Sequence, residues 1–210
     1  MASQAWVSLL NGGLASSGPG ATWTEAASTT AVLSPQTSVT NQDYAVAQAG
    51  GQPLGWYPGW LIRVTARGWI TTNTTTGTLT VSLRANKNNA TAPASNTVLA
   101  TCNGLTTGAT AVTGIQYELH ALIRCTNVAS SGNTVSTQGT LFIGNSGAGV
   151  PANPIALTAS AGMTLPMPNI SGENPAAVDT TQLQGIQLCA TGTAASGTIA
   201  CTQWLVEALN

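Results

Sequence analysis

The single histidine, His120, stands near Glu118 and Arg124, and all three share the same parity along the chain. In an extended strand, alternate residues point to one side, so a base, an acid and a cation would line up on one face. Such a group could move protons, but catalysis also needs a nucleophile or a second partner. No Gly-x-Ser-x-Gly, no His-Glu-x-x-His and no phosphate-binding glycine loop accompanies it. His120 therefore reads as a surface or interface histidine. One histidine also gives no His cluster for zinc. The acids Glu25, Asp43, Glu118, Glu173, Asp179 and Glu207 are scattered. A glycosidase needs two carboxylates across one cleft. Glu173 with Asp179 is the candidate pair, and both read as loop residues. The repeated acids of a calcium loop are absent. No catalytic, metal-binding or cofactor-binding residue is assigned, and no cofactor is expected.

Cys189 and Cys201 flank a turn region at 191–197. If segments 184–190 and 198–207 pair as a hairpin, these two lie nearly opposite, as a cross-strand disulfide or a thiol pair in the core. Cys102 and Cys125 are the second candidate pair. Free buried thiols are the expectation for a chain made in a reducing cytoplasm, and oxidation after release from a cell is the alternative. Six tryptophans are many for a chain with 5% aromatics. Trp56, Tyr57, Trp60 and Trp69 cluster around one segment. They read first as core or interface aromatics, and second as rings that stack on sugars. Pro58-Gly59 between them marks a turn, which puts at least one ring at a sheet corner.

Composition narrows the classes. The chain has 210 residues, of which only 5% are charged, where soluble domains average about 25%. Lys plus Arg is 5, Asp plus Glu is 6, and the net charge is -1. There is no basic patch to neutralise phosphates, so nucleic acid is not an expected partner. Lys, Glu and Leu are too scarce for coiled-coil heptads. Hydrophobic content is an ordinary 43%, which excludes disorder driven by charge. A surface with few charges of either sign favours association, so the chain reads as a component of a packed assembly. No apolar run is long enough to span a bilayer, and the first residues lack the basic start of a secretory signal. Synthesis in a cytoplasm and no membrane partner are expected.

The elements follow a period of two. Leu61 to Trp69 places Ile62, Val64 and Ala66 on one face and Arg63, Thr65 and Arg67 on the other. Thr78 to Arg84 alternates strictly, and Thr- and Gly-rich residues between the two segments make a strand–loop–strand unit. Val98 to Ala100 and Thr140 to Ile143 are short strand candidates. Ile115 to Cys125 places Tyr117, Leu119, Ala121 and Ile123 on one face. Gln184 to Ala190 and Thr198 to Leu209 complete the set. Five prolines between 145 and 175 require loop or edge there. Nothing carries a sustained helical period. The expected fold is all-β, a jelly-roll-like antiparallel β-sandwich over 53–210, with an irregular N-terminal arm over 1–52. Short apolar pieces in that arm (Trp6 to Leu10, Ala31 to Leu33) read as strands or as a docking arm.

Several segments resemble a family of minor structural proteins of tailed bacteriophages. Gly59-Trp60-Leu61-Ile62-Arg63-Val64-Thr65-Ala66-Arg67-Gly68 is similar to the family's opening strand, and Gly77 to Arg84 to its hairpin partner. Leu119 to Thr126 resembles a later strand that carries a cysteine. Val178-Asp179-Thr180-Thr181-Gln182 and the ending Val206-Glu207-Ala208-Leu209-Asn210 resemble its C-terminal region. The likeness covers about three quarters of the chain, from Trp56 on. It implies a virion protein assembled in a host cytoplasm, most simply a homotrimeric capsid decoration protein that binds the major capsid protein or other virion proteins. It carries no catalytic residues. A tail or fibre module that binds receptor glycans is the alternative, with the Trp56/Trp60 corner or the 145–175 loop as the contact. An ice-binding surface and a polysaccharide hydrolase are weaker readings, because regular Thr-x-Thr repeats and a marked carboxylate pair are both missing.

Overall fold

The computed structural model describes residues 7–12, 21–24, 30–32, 58–72, 77–87, 97–107, 111–144, 163–166, 174–181, 184–192 and 197–209. These form strands and their connections, with no helix among the described residues. In chain order the strands are β1 (Val7–Gly12), β2 (Ala21–Thr24), β3 (Thr30–Val32), β4 (Leu61–Thr72), β5 (Gly77–Lys87) and β6 (Thr97–Thr107). They continue as β7 (Val112–Cys125), β8 (Val135–Ile143), β9 (Met163–Pro166), β10 (Asn174–Ala176), β11 (Gln184–Gly192) and β12 (Gly197–Ala208).

Two antiparallel sheets make a sandwich. The larger, of eight strands, runs β1-β12-β4-β7-β8-β10, with β2 also on β12 and β9 also on β8. The smaller, of four strands, runs β3-β11-β5-β6. The alternation read in the sequence explains this layering. Ile62, Val64, Ala66 and Ile70 of β4 turn inward beside Ile115, Tyr117, Leu119 and Ile123 of β7. Leu79, Val81 and Leu83 of β5 and Ile186 and Leu188 of β11 close the core from the other sheet. Each Val, Leu or Ile side chain among them, once dry, contributes roughly 1.5–3 kcal/mol of transfer free energy.

The pairing differs from the sequence reading in two places. β11 and β12 are not a hairpin: β11 pairs with β3 and β5, whereas β12 pairs with β1, β2 and β4. β5 is likewise not the hairpin partner of β4, since it lies in the smaller sheet between β11 and β6. Both connections cross from one sheet to the other. The reason is burial: each strand has one strongly apolar side, and facing sheets cover both at once. The proline-rich region behaves as expected where it is described. β9 and β10 are short strands on β8, and Pro166 and Pro175 lie within them. Within 1–52, β1 and β3 overlap the two apolar pieces and pair with β12 and β11, and β2, which the sequence did not mark, pairs with β12.

Candidate functional site

The outward face of the larger sheet carries Arg63, Arg67, Arg124, Glu118 and Glu207, five of the chain's 11 charged residues. Register across β12, β4, β7 and β8 sets the rows Glu207–Arg63–Leu122–Gln138, Leu205–Thr65–His120–Thr140 and Gln203–Arg67–Glu118–Phe142. Beyond them Trp69 stands opposite Gln116, and at the other end Leu61 stands opposite Arg124. Arg63, Arg67 and Arg124 are three of the chain's five Lys and Arg residues.

Arg63 and Arg67 are braced across strands. Arg63 donates from Nε to Glu207 Oε2 at 2.7 Å. Arg67 Nη2 donates to Glu118 Oε1 at 2.6 Å. His120 Nε2 lies 2.9 Å from the same oxygen. Arg67's hydrogen bond, against a smaller opposing desolvation, holds the Glu118 carboxyl below its ordinary value. The His120 ring meets Phe142 edge-on, with centroids 5.7 Å apart. His120 is thus a braced member of an ion-pair group, flanked in register by Thr65 and Thr140. The group offers hydrogen bonds and a neutralised charge.

A local irregularity shapes one end of this face. The register of β12 on β4 slips between Cys201 and Gln203, which leaves Thr202 as an extra residue. Thr202 Oγ1 donates to the Arg67 carbonyl at 3.2 Å. Beside the bulge, Gly68 admits no side chain: a Cβ there would come within 1.8 Å of the Ala200 carbonyl oxygen and 2.8 Å of the Tyr117 ring. Tyr117 fills the space over Gly68 that a side chain would take. Burial pushes its phenol well above the ordinary value, and Cys201 adds to the rise. The hydroxyl itself has no hydrogen-bond partner of good geometry, and neither does the indole N–H of Trp204. An open groove of about 640 Å3 lies here, lined by Arg67, Trp69, Gln116, Glu118, Phe142 and Gln203 among others.

The residues singled out from sequence fall in different places. All four cysteines are free and buried. Cys189 and Cys201 sit in different sheets, as do Cys102 and Cys125, so the hairpin route to a Cys189–Cys201 pair does not exist. Burial pushes Cys102 and Cys201 up to about 11 and Cys189 to about 12. Of the aromatics, Trp60 is 1% exposed and belongs to the core, which removes it as a sugar contact. It follows the Pro58-Gly59 turn, where Gly59 takes a φ of 92° that other residues rarely adopt. Trp69 is half-buried and lines the groove. Trp56 and Tyr57 lie outside the described residues, as do Glu173 and most of 145–175. Asp179 is held locally, accepting hydrogen bonds from the amide and hydroxyl of Thr181.

Phe142, Gln116 and Gln203 escaped sequence reasoning as site residues. Gln116 could have been found from its parity with Glu118 and His120, but only strand register brings Phe142 and Gln203 beside it. Among the described residues, no group of three His, Cys, Asp or Glu comes together to hold a metal, and no helix is long and apolar enough to cross a membrane. No family model, no curated protein and no solved structure matches this chain.

Proposed function

We propose that this chain is a non-enzymatic structural component of a tailed-phage virion, a trimeric jelly-roll-like capsid decoration protein that binds and stabilises the outer shell. The observation that carries the reading is the uncharged core set against a larger-sheet face that carries Arg63, Arg67, Glu118, Arg124 and Glu207. Leu122, 41% exposed, stands on that face beside the Arg63–Glu207 pair and near Arg124. An exposed leucine rimmed by braced polar groups has the make-up of a docking patch, with an apolar centre and a polar rim. Leu61 to Gly68 and Val206 to Ala208, from two of the segments on which the phage likeness rests, lie in β4 and β12, neighbours within the larger sheet. Free buried thiols fit a chain that folds in a reducing host cytoplasm.

Binding only to the assembled lattice would stabilise the shell by mass action. The test is cosedimentation of purified chain with undecorated shells, together with native mass spectrometry. The expected result is a trimer that binds saturably, with Leu122→Asp weakening binding while leaving the melting temperature nearly unchanged. A monomer without affinity for shells contradicts the proposal.

A further inference from the structure

The groove at the Trp69 end of the large sheet has a chemistry of its own. We propose that it binds a neutral saccharide. This goes beyond shell binding, which uses the Leu122 end of the same face and leaves the groove open.

Size is the first argument: about 640 Å3 falls within the usual range of roughly 300–1,000 Å3 for small-molecule sites. Aromatic placement is the second. Trp69 is on β4 and Phe142, 41% exposed, is on β8, with β7 between them. Strand spacing and rise put their positions roughly 10–12 Å apart, so a short oligosaccharide can lie across both. Sugar rings present apolar C–H faces that stack on aromatic rings, while their edges carry hydroxyls that both donate and accept.

The polar groups beside the aromatics meet that second need, with Gln116 and Glu118 on β7 between them and Gln203 on β12 flanking Trp69's strand. Gln116 and Gln203 are exposed, and each amide offers a donor and an acceptor. Arg67 and Glu118 add donors and an acceptor from one ion pair, closed at 2.6 Å. The closed pair decides the ligand's charge. An anion site would present the guanidinium unpaired, and a cation site the carboxylate. Here each neutralises the other. A purely apolar ligand would strip water from both amides without replacing the hydrogen bonds, which is costly. Gly114 and Gly144 line the rim without side chains, so a ring can approach the backbone closely.

The test uses the full chain, with saturation-transfer NMR and isothermal titration. The probes are neutral tri- and tetrasaccharides of glucose, galactose and N-acetylglucosamine, and sulfated and sialylated counterparts. The expected result is binding of at least one neutral member with a dissociation constant of about 1 mM or tighter. Gln116→Ala and Gln203→Ala should each weaken it about tenfold, or 1.4 kcal/mol. Trp69→Ala should abolish it, and Trp69→Phe should restore part. Because Trp69 is half-buried, thermal melts accompany its variants, and the two exposed glutamines decide the matter if Trp69→Ala fails to fold. No binding of any neutral probe, a preference for the anionic set, or affinity unchanged in both glutamine variants would overturn the proposal. Shell cosedimentation of the same glutamine variants should be unaltered, which separates this site from the shell contact.

Discussion

Along β4, inward residues are buried while Arg63, Thr65, Arg67 and Trp69 between them keep contact with solvent. Along β11, residues Ile186 to Ala190 are all buried, including Gln187 and Cys189 on the side away from the core cluster. The two central strands thus use their outward sides differently. On β4 that side carries charge, and each charge is answered by a neighbour in register. On β11 it carries an amide and a thiol, beside Arg84 and the buried Ser82 of β5. Reactive-looking residues are quiet where they are covered, and binding capacity gathers where alternation stays open to water. A cysteine pair and a charged face look equally functional in a sequence, and burial separates them.

The largest effect on the open face is expected from Gly68→Ala. Its Cβ would collide with backbone at the bulge, so the open face should lose its geometry and the fold about 3 kcal/mol or more of stability. Urea denaturation checks this, and a near-wild-type midpoint would show that the bulge relaxes freely.

The covered thiols give the next effect, at high pH. Cys102 and Cys201 rise to about 11 and Cys189 to about 12 from 9.0, all through burial. Unfolded thiols ionise near 9 while the folded ones stay neutral. Stability is therefore full below that pH and is lost as pH rises toward the folded values, by about 1.4 kcal/mol per pH unit for each thiol. Urea midpoints between pH 8 and 10.5 should show this decline, and Cys189→Ala should make it shallower by about a third. Native protein should also react slowly with a thiol reagent, at a rate set by unfolding.

The smallest effect belongs to the open face. Arg67→Gln should cost less than about 1 kcal/mol, because exposed ion pairs are weak and screened by salt. Glu118, whose carboxyl Arg67 holds below the ordinary value, adds a small stability that is present above the unfolded pKa. That part is lost as pH falls through the folded value, and Glu118→Gln should remove it from the acid limb of a melting-temperature profile. A large loss in either variant would mean that the face is structural rather than a binding surface.

Much of the fold was legible because side chains alternate. β4, β5, β7, β11 and β12 stand close to where apolar residues recur at every second position. Two strands were read too short. β8 begins at Val135, but Ser136, Gln138 and Gly139 hid its first half; β6 runs past Ala100 through Asn103 and Gly104, which resemble a turn. Pairing was less legible than strands. The stretch between β11 and β12 carries glycines and alanines that suit either a hairpin or a crossing, and only the covering of both apolar sides decides between them. The groove was least legible. Trp69 stood out by type, but Gln116, Phe142 and Gln203 are distant in sequence and meet through register alone.

Decoration of a virion shell by this sandwich is decided by cryo-electron microscopy of the intact particle. A decoration protein gives density for the two-sheet sandwich at regular positions over the capsid, with the Leu122 end of the large sheet against the shell and the Trp69 groove facing solvent. Density confined to a tail tip or to sparse fibres would contradict it.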